Sequence, residues 1–367
     1  MAFGLSILVF VLSLFLIIMI HEGGHYLAAR RYNFRVLEYF LGFGPKLWSV
    51  RRGEIEYGVK AIPAGGYVKI AGMNPFENDV PPGDENRAYT AKPVWQRIIV
   101  ILCGPLSHFL VAGILFSILI ATVGDGHAAK VVAVKPRLAG SASPAAVAGL
   151  QPGDLIVQIG DVQNPDQAAI GAWMDAHPGE TTPLVIERGG RFLSLQATPV
   201  NDPALGRYRF GISMGPVPRP VPSAVWHGFG QVGTMTVESA KGIAHAFGPS
   251  GVVRMFTLLT TSTPRNDQDA ASLVGVGGMV GNMGANGQWA QFLFVFAYVT
   301  LFIGLVNLIP LPPLDGGHVA LAVIEKIRGK AIDMKKVVPV SATVLVLLGF
   351  FSISAMILDV WKPIPSP

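Results

Sequence analysis

Four stretches of this 367-residue chain are apolar almost without interruption, and between them the pattern breaks into short alternations and polar turns. A bilayer core about 30 Å thick takes roughly 20 helical residues. Four segments meet that length, beginning near Ala2, Ile98, Trp289 and Val337. The first, Ala2 to Arg30, has no Lys or Arg before its apolar run and no small-residue cleavage pattern after it, so it reads as a retained helix rather than a signal peptide. The second runs to about Val123 and the third to about Leu311; the fourth ends at Val360 beside Trp361, an interfacial anchor. Pro105, Pro310 and Pro312 should bend or end helices. Between the first two spans, Ile55–Lys60 and Tyr67–Ile70 read as short strands around a glycine-bearing turn, Ala61–Gly66. From Ala129 to Val200 the pattern becomes that of a soluble α+β unit. Val131–Val134, Leu155–Ile159, Pro183–Glu187 and Phe192–Ala197 are its expected strands, and Asp166–His177 its helix. Asn201–Gln288 is Pro-rich from Pro216 to Pro222 and Gly-rich from Gly275 to Gly287. It should hold an amphipathic helix over Ala224–Phe247 and a second apolar run near Val252. The pattern does not choose between interfacial gating helices and a linker.

Composition agrees with a membrane protein: 51% hydrophobic and 14% charged residues, with a mean hydropathy of +0.47. The net charge of +5 does not imply nucleic acid, because the basic residues cluster at the ends of apolar segments rather than along one polar face. Eleven Lys and Arg lie between Arg30 and Arg97 and five between Lys326 and Lys336, both short stretches between spans. Those sixteen should face the cytoplasm, which puts both termini and the large Gly124–Gln288 segment outside. The single cysteine, Cys103, excludes a disulfide or a thiolate metal site within one chain.

Near the inner end of the first span stands His21-Glu22-Gly23-Gly24-His25, an H-E-x-x-H pattern inside continuous helical sequence. Residues four apart share a helix face, so both imidazoles reach one tetrahedral Zn²⁺, and Glu22 stands beside them as general base. Measured along the helix, His21 lies roughly 13 Å from Arg30, at 1.5 Å per residue, which puts the metal below the membrane surface. An ionisable cluster there reads as functional. A catalytic zinc takes a third protein ligand. The best candidate is Asp315, in Asn307-Leu308-Ile309-Pro310-Leu311-Pro312-Pro313-Leu314-Asp315-Gly316-Gly317 at the inner end of the third span. The alternative for Asp315 is to cap a helix from about His318 to Ile327. His108 and His318 compete as ligands, His108 also as a hydrogen-bond donor to the site. Asn307 is positioned to contact substrate backbone or a developing oxyanion, or else to pack helices.

These residues resemble the site-2 proteases, zinc intramembrane proteases, and in particular the bacterial branch that regulates sigma factors. The likeness rests on His21–His25, Leu41-Gly42-Phe43-Gly44-Pro45, Ala64-Gly65-Gly66-Tyr67-Val68-Lys69, Gly104-Pro105 and Asn307–Gly317. It rests also on a PDZ-like segment around Ser143-Pro144-Ala145-Ala146 and Gly149-Leu150-Gln151-Pro152-Gly153-Asp154. Stretches such as Trp48-Ser49-Val50-Arg51-Arg52-Gly53 have an actinobacterial style. The resemblance implies zinc on His21, His25 and Asp315, Glu22 as the base, and Asn307 on the substrate. Where the family often carries Asn, four residues after the Gly of Gly104-Pro105, this chain has His108. It further implies single-pass membrane substrates of the anti-sigma-factor kind, a bilayer environment and no nucleic acid. Strand addition of an unwound substrate along the β segment would give Gly65, Gly66 and Tyr67 a substrate-binding role.

The expected fold is an α-helical polytopic membrane protein of four transmembrane helices, with a small membrane-associated β-hairpin and an extracytoplasmic α+β PDZ-like domain. Its expected parts are residues 1–31 (first span), 32–92 (cytoplasmic-side β region), 93–124 (second span) and 128–200 (PDZ-like domain). They continue with 201–288 (extracytoplasmic linker or amphipathic helices), 289–318 (third span), 319–336 (cytoplasmic helix and loop) and 337–361 (fourth span). The expected location is a bacterial plasma membrane. Two other functions compete: a membrane-anchored metallopeptidase acting on water-exposed substrates, and an inactive PDZ membrane scaffold.

Overall fold

The computed structural model describes residues 2–74, 76–203, 205–266, 269, 271–330 and 332–362. Met1, the first residue of the expected first span, lies outside them, as do a few positions of the 32–92, 201–288 and 319–336 segments. The chain divides into two compact units, one of residues up to Phe116 and from Phe229 onward, the other Ser117–Gly228.

Among the described residues are four long apolar helices, α1 (Ala2–Arg31), α2 (Val94–Thr122), α8 (Trp289–Asn307) and α10 (Met334–Trp361), which belong to the first unit except for α2 from Ser117 on. On α1, Leu8, Leu12 and Leu16 are 53%, 56% and 60% exposed. A row of leucines facing outward on a helix this long requires an apolar solvent, which the bilayer supplies. Pro105 and Pro339 lie inside α2 and α10, and neither ends its helix. The third span stops at Asn307, short of the expected Leu311, because Pro310, Pro312 and Pro313 withhold three backbone N–H groups just beyond it.

The β region is one hairpin, β1 (Val36–Arg52) with β2 (Ile55–Ile70), rather than two short strands around a turn at Ala61–Gly66. The chain reverses at Gly53-Glu54, where Arg52 faces Ile55. Glu38–Leu41 pair with both Gly66–Lys69 and Glu56–Val59, so the hairpin folds back on itself. The bend uses Gly42 and Gly44 at φ of +85° and +80°, a region that favours glycine, and a Cβ on Gly42 would lie 2.8 Å from the Ile62 carbonyl oxygen. Phe34, Val36, Ile55 and Ile70 anchor the hairpin base against Ala28 and Ala29 of α1 and Val100 of α2.

Three further helices, α5 (Val221–Phe247), α6 (Pro249–Thr260) and α7 (Leu273–Ala285), fill most of the segment before α8. Past Phe229, α5 packs on two spans at mid-length: Val232 joins Ala112 and Phe116 of α2 and Ala297 and Leu301 of α8. The Gly-rich tract is helical in α7, where a Cβ on Gly284 would lie 1.8 Å from Ser6 Oγ of α1. Its glycines serve a close helix crossing, as small residues do where apolar burial no longer drives association. At about 20 Å for 13 residues, α7 is too short to cross a bilayer core. The last helix of the unit, α9 (Asp315–Arg328), is tied to the start of α2 by Arg97, whose guanidinium donates to both carboxylate oxygens of Glu325 at 2.7 and 3.1 Å.

The second unit is a small α+β fold. Its main sheet runs β12 (Ile212–Val217), β3 (Asp125–Val134), β6 (Leu155–Ile159), β8 (Thr182–Arg188) and β9 (Arg191–Ala197), with β7 (Val162–Gln163) paired to β6. Two short ribbons, β4 (Arg137–Leu138) with β5 (Ser141–Ala142) and β10 (Val200–Asp202) with β11 (Arg207–Arg209), flank it. Helices α3 (Pro144–Val147) and α4 (Gln167–Ala176) complete the unit, and Ile156, Ile159, Ile170, Leu184, Ile186 and Phe210 form its core. Asp154 fastens the Gly149–Asp154 turn: the Arg188 guanidinium donates to both its oxygens at 2.6 and 2.7 Å, and Gln151 N–H donates at 2.8 Å.

Candidate metal centre

Regular helix geometry over Leu16–Ala29 brings His21 and His25 to one face of α1, their Nε2 atoms 3.2 Å apart. The third group arrives from far along the chain. Leu314 takes the N-cap position of α9, and Asp315 stands in its first turn with Oδ2 3.1 Å from His21 Nε2 and 3.5 Å from His25 Nε2. The capping alternative for Asp315 is not what the structure shows; its carboxylate turns to the histidines instead. Gly316 and Gly317 allow the chain to double back here, since a Cβ on either would come within about 2.2 Å of the Leu308 or Pro312 backbone.

Three donor atoms with mutual separations of 3.1, 3.2 and 3.5 Å form a near-equilateral face. A tetrahedral ion with bonds of 2.0–2.1 Å spaces its ligand atoms about 3.3 Å apart, so the donor set fits zinc in size, in type and in leaving a fourth position open. Among the described residues, this is the group of His, Cys, Asp and Glu able to hold a metal. His318, one turn past Asp315, is outside it, and so is His108, which instead lies against the far nitrogen of His21.

The surroundings fix the candidate donors. His25 Nδ1–H donates to the Val100 carbonyl of α2 at 2.8 Å, which commits the ring to the tautomer with a free Nε2 lone pair. Helices α1 and α2 approach closely enough for that bond only because of two glycines. A Cβ on Gly24 would lie 2.2 Å from the Cys103 carbonyl oxygen, and one on Gly104 would lie 2.3 Å from His25 Nε2. Sequence reading marked Gly104-Pro105 as a motif without finding this reason for it.

Glu22 faces the hairpin. A Cβ on Gly66 of β2 would meet Glu22 Cγ and Met19 Sδ at 3.3 Å. Tyr39 Oη donates to the Met19 carbonyl at 2.7 Å and docks β1 on the same helix. Of the other residues expected to meet substrate, Gly65 stands at φ +143°, and Tyr67 stacks with Phe40 and with Phe43 and puts its hydroxyl on Glu38. Asn307 is the half-buried last residue of α8. A cavity of about 830 Å³ opens along Tyr67–Ile70, bounded by His318 and by Val338 and Ala342 of α10.

The model of peptidase family M50 matches residues 9–351. This chain belongs to that family. Membership bears out the likeness to site-2 proteases and makes the chain a metalloendopeptidase. The zinc metalloprotease Rip1 of Mycobacterium tuberculosis (strain H37Rv) is 32% identical over 405 residues, covering 99% of both chains. Rip1 of Mycolicibacterium smegmatis is 30% identical over 409 residues, again over 99% of both. Among solved structures, the PDZ domain of an SdrC-like protein from Listeria innocua resembles 24% of this chain and 92% of its own at 19% identity. At a TM-score of 0.21 this likeness carries no argument about the fold.

Proposed function

We propose that this chain is a zinc endopeptidase that cuts transmembrane segments of single-pass membrane proteins within the bilayer. The metal is zinc, as in the family, and we assign it to His21, His25 and Asp315. The observation that carries the reading is the convergence of those three donors on a long apolar helix, with Glu22 beside them. A peptidase acting on water-exposed substrates would not need its site on such a helix, and a scaffold would not need Glu22.

Zinc, when bound, supplies Lewis acidity that polarises the scissile carbonyl. Glu22 takes the proton from the attacking water and returns it to the departing amine. Asn307 donates to the developing oxyanion. A helical substrate hides its peptide bonds in its own ladder, so it must be held extended. In the folded-back hairpin Glu38–Leu41 is flanked by Glu56–Val59 on one side and Gly66–Lys69 on the other, and the Gly66–Ile70 edge passes Glu22 and the cavity, which suits strand addition. Gly65, Gly66 and Tyr67 then line the substrate path. The Lys and Arg distribution supports a plasma-membrane topology with both termini and the second unit, read as PDZ-like, outside. The bacterial branch that the motifs resemble suggests substrates of the anti-sigma-factor type.

The test is cleavage of a tagged single-pass substrate in detergent by wild type and Glu22→Gln, with zinc measured on both. Cleavage by wild type alone, with about one zinc on each protein, is the expected outcome for a three-ligand catalytic site; equal cleavage removes Glu22 from the mechanism. Strand addition is tested by disulfide crosslinking between Lys69→Cys, in a Cys103→Ser background, and a cysteine walked along the substrate. An extended substrate gives crosslinks with a period of two, and a helical period near 3.6 rules the idea out.

A further inference from the structure

His21 and His25 present Nε2 to the metal position, so each ring must carry its proton on Nδ1. For His25 the acceptor of that proton is the Val100 carbonyl, an oxygen that can do nothing but accept. Among the described residues, His21 meets no carbonyl in that place. Its Nδ1 faces Nε2 of His108 at 3.0 Å, and the two rings are tilted by 55° with centroids 5.0 Å apart. His21 is 8% exposed and His108 is 1% exposed, so bulk water does not compete for the contact.

We propose that His108 is a positioning residue that accepts the His21 Nδ1–H bond and so fixes the tautomer and ring plane of the first zinc ligand. The direction is opposite to the donor role that sequence alone suggested. With Nε2 as acceptor, the His108 proton sits on Nδ1, a buried nitrogen with no hydrogen-bond partner among the described residues, so the contact with His21 outweighs the cost of leaving that N–H unpaired. Its place is set by the α2–α8 crossing: a Cβ on Gly304 would lie 2.6 Å from His108 Cβ and 3.1 Å from the Pro105 carbonyl oxygen. Only a glycine on α8 leaves room for an imidazole there. The two ligands of α1 are thus oriented from one helix, α2, by unlike acceptors two turns apart, the Val100 carbonyl and the His108 ring.

The inference rests on the zinc reading of the site, and one experiment separates the two. Zinc affinity is measured by competition with a chelating dye on the full-length protein in detergent, for wild type, His108→Leu and His108→Gln, beside metal-free melting temperatures. Leucine removes the acceptor, whereas glutamine returns an oxygen near the Nε2 position. The leucine variant should bind zinc about 10–100-fold more weakly, the usual cost of losing such a partner, and glutamine should recover most of the loss. Metal-free melting should not follow this order. Wild-type affinity in His108→Leu overturns the proposal, and so does equal weakening in both variants, which would mark a packing role. Where the leucine variant does not fold, Gly304→Ala serves instead, because its clash drives the ring from its seat; unchanged affinity there overturns the proposal as well. A wild-type protein that holds no zinc overturns the reading of the site itself.

Discussion

Gly104→Ala should cost this protein its metal. The added methyl would stand 2.3 Å from His25 Nε2 and 2.4 Å from Cε1. Carbon in van der Waals contact keeps about 3.5 Å, so something must yield by about 1 Å. The ring cannot turn away freely, because its Nδ1–H is held by the Val100 carbonyl, one helical turn before Gly104 on the same face of α2. If α2 itself retreats, that bond lengthens with it. Either route carries Nε2 off a position that tolerates about 0.2 Å. The expected loss in zinc affinity is at least 10–100-fold, comparable with losing an orienting partner outright. Cleavage at saturating zinc should fall about 100-fold, as a misplacement of 1 Å does elsewhere. The assay is chelator competition followed by substrate cleavage in excess zinc. Gly4→Ala on α1 is the control, since a Cβ there meets nothing within 4 Å. A Gly104→Ala protein that retains zinc and cuts as wild type does would refute the packing argument.

Arg265 and Asp359 form a buried ion pair at 2.7 Å, with side chains 0% and 5% exposed, and Asp359 also accepts from Ser272 N–H. Asp359→Ala should therefore destabilise the protein by about 3–5 kcal/mol, because it takes the Asp359 carboxylate away from a buried guanidinium; thermal unfolding in detergent checks this, and an unchanged melting temperature would contradict it. In the second unit, burial pushes the Asp154 carboxyl up, but the Arg188 guanidinium and Gln151 N–H outweigh it and hold the group below its ordinary value. A carboxyl lowered in the folded state stabilises fully above the unfolded value, about 3.9, and loses that contribution as pH falls through the folded one. Hydrogen-exchange protection of Gly149–Asp154 should thus hold from pH 7 to about 4 and drop below it, with the dependence gone in Asp154→Asn. A drop already complete at pH 5 would show that another group controls this turn.

Local spacing determined much of this protein in advance. The four spans follow from apolar length against a fixed bilayer thickness. The pairing of His21 with His25 follows from 3.6 residues per turn, which needs no tertiary information. The alternating strands of the second unit were also legible: Leu155–Ile159 has the expected bounds, and Thr182–Arg188 and Arg191–Ala197 differ from expectation by a residue or so. Asp315 could be named as a candidate because a proline-broken helix end beside an acid is costly in a membrane unless it is used. Its approach to within 3.5 Å of two histidines almost 300 residues earlier is a matter of packing. So is the hairpin turn at Gly53-Glu54 rather than Ala61–Gly66, since a glycine reads alike whether it makes a turn, a bend or a close crossing. The same ambiguity hid Gly104 and Gly304, whose importance lies in the atoms they leave space for, on other helices. His108 could be a ligand, a donor or an acceptor by sequence, because an imidazole is competent for all three. Which one it is depends on the nitrogen it faces, and only the folded arrangement of α1, α2 and α8 decides that.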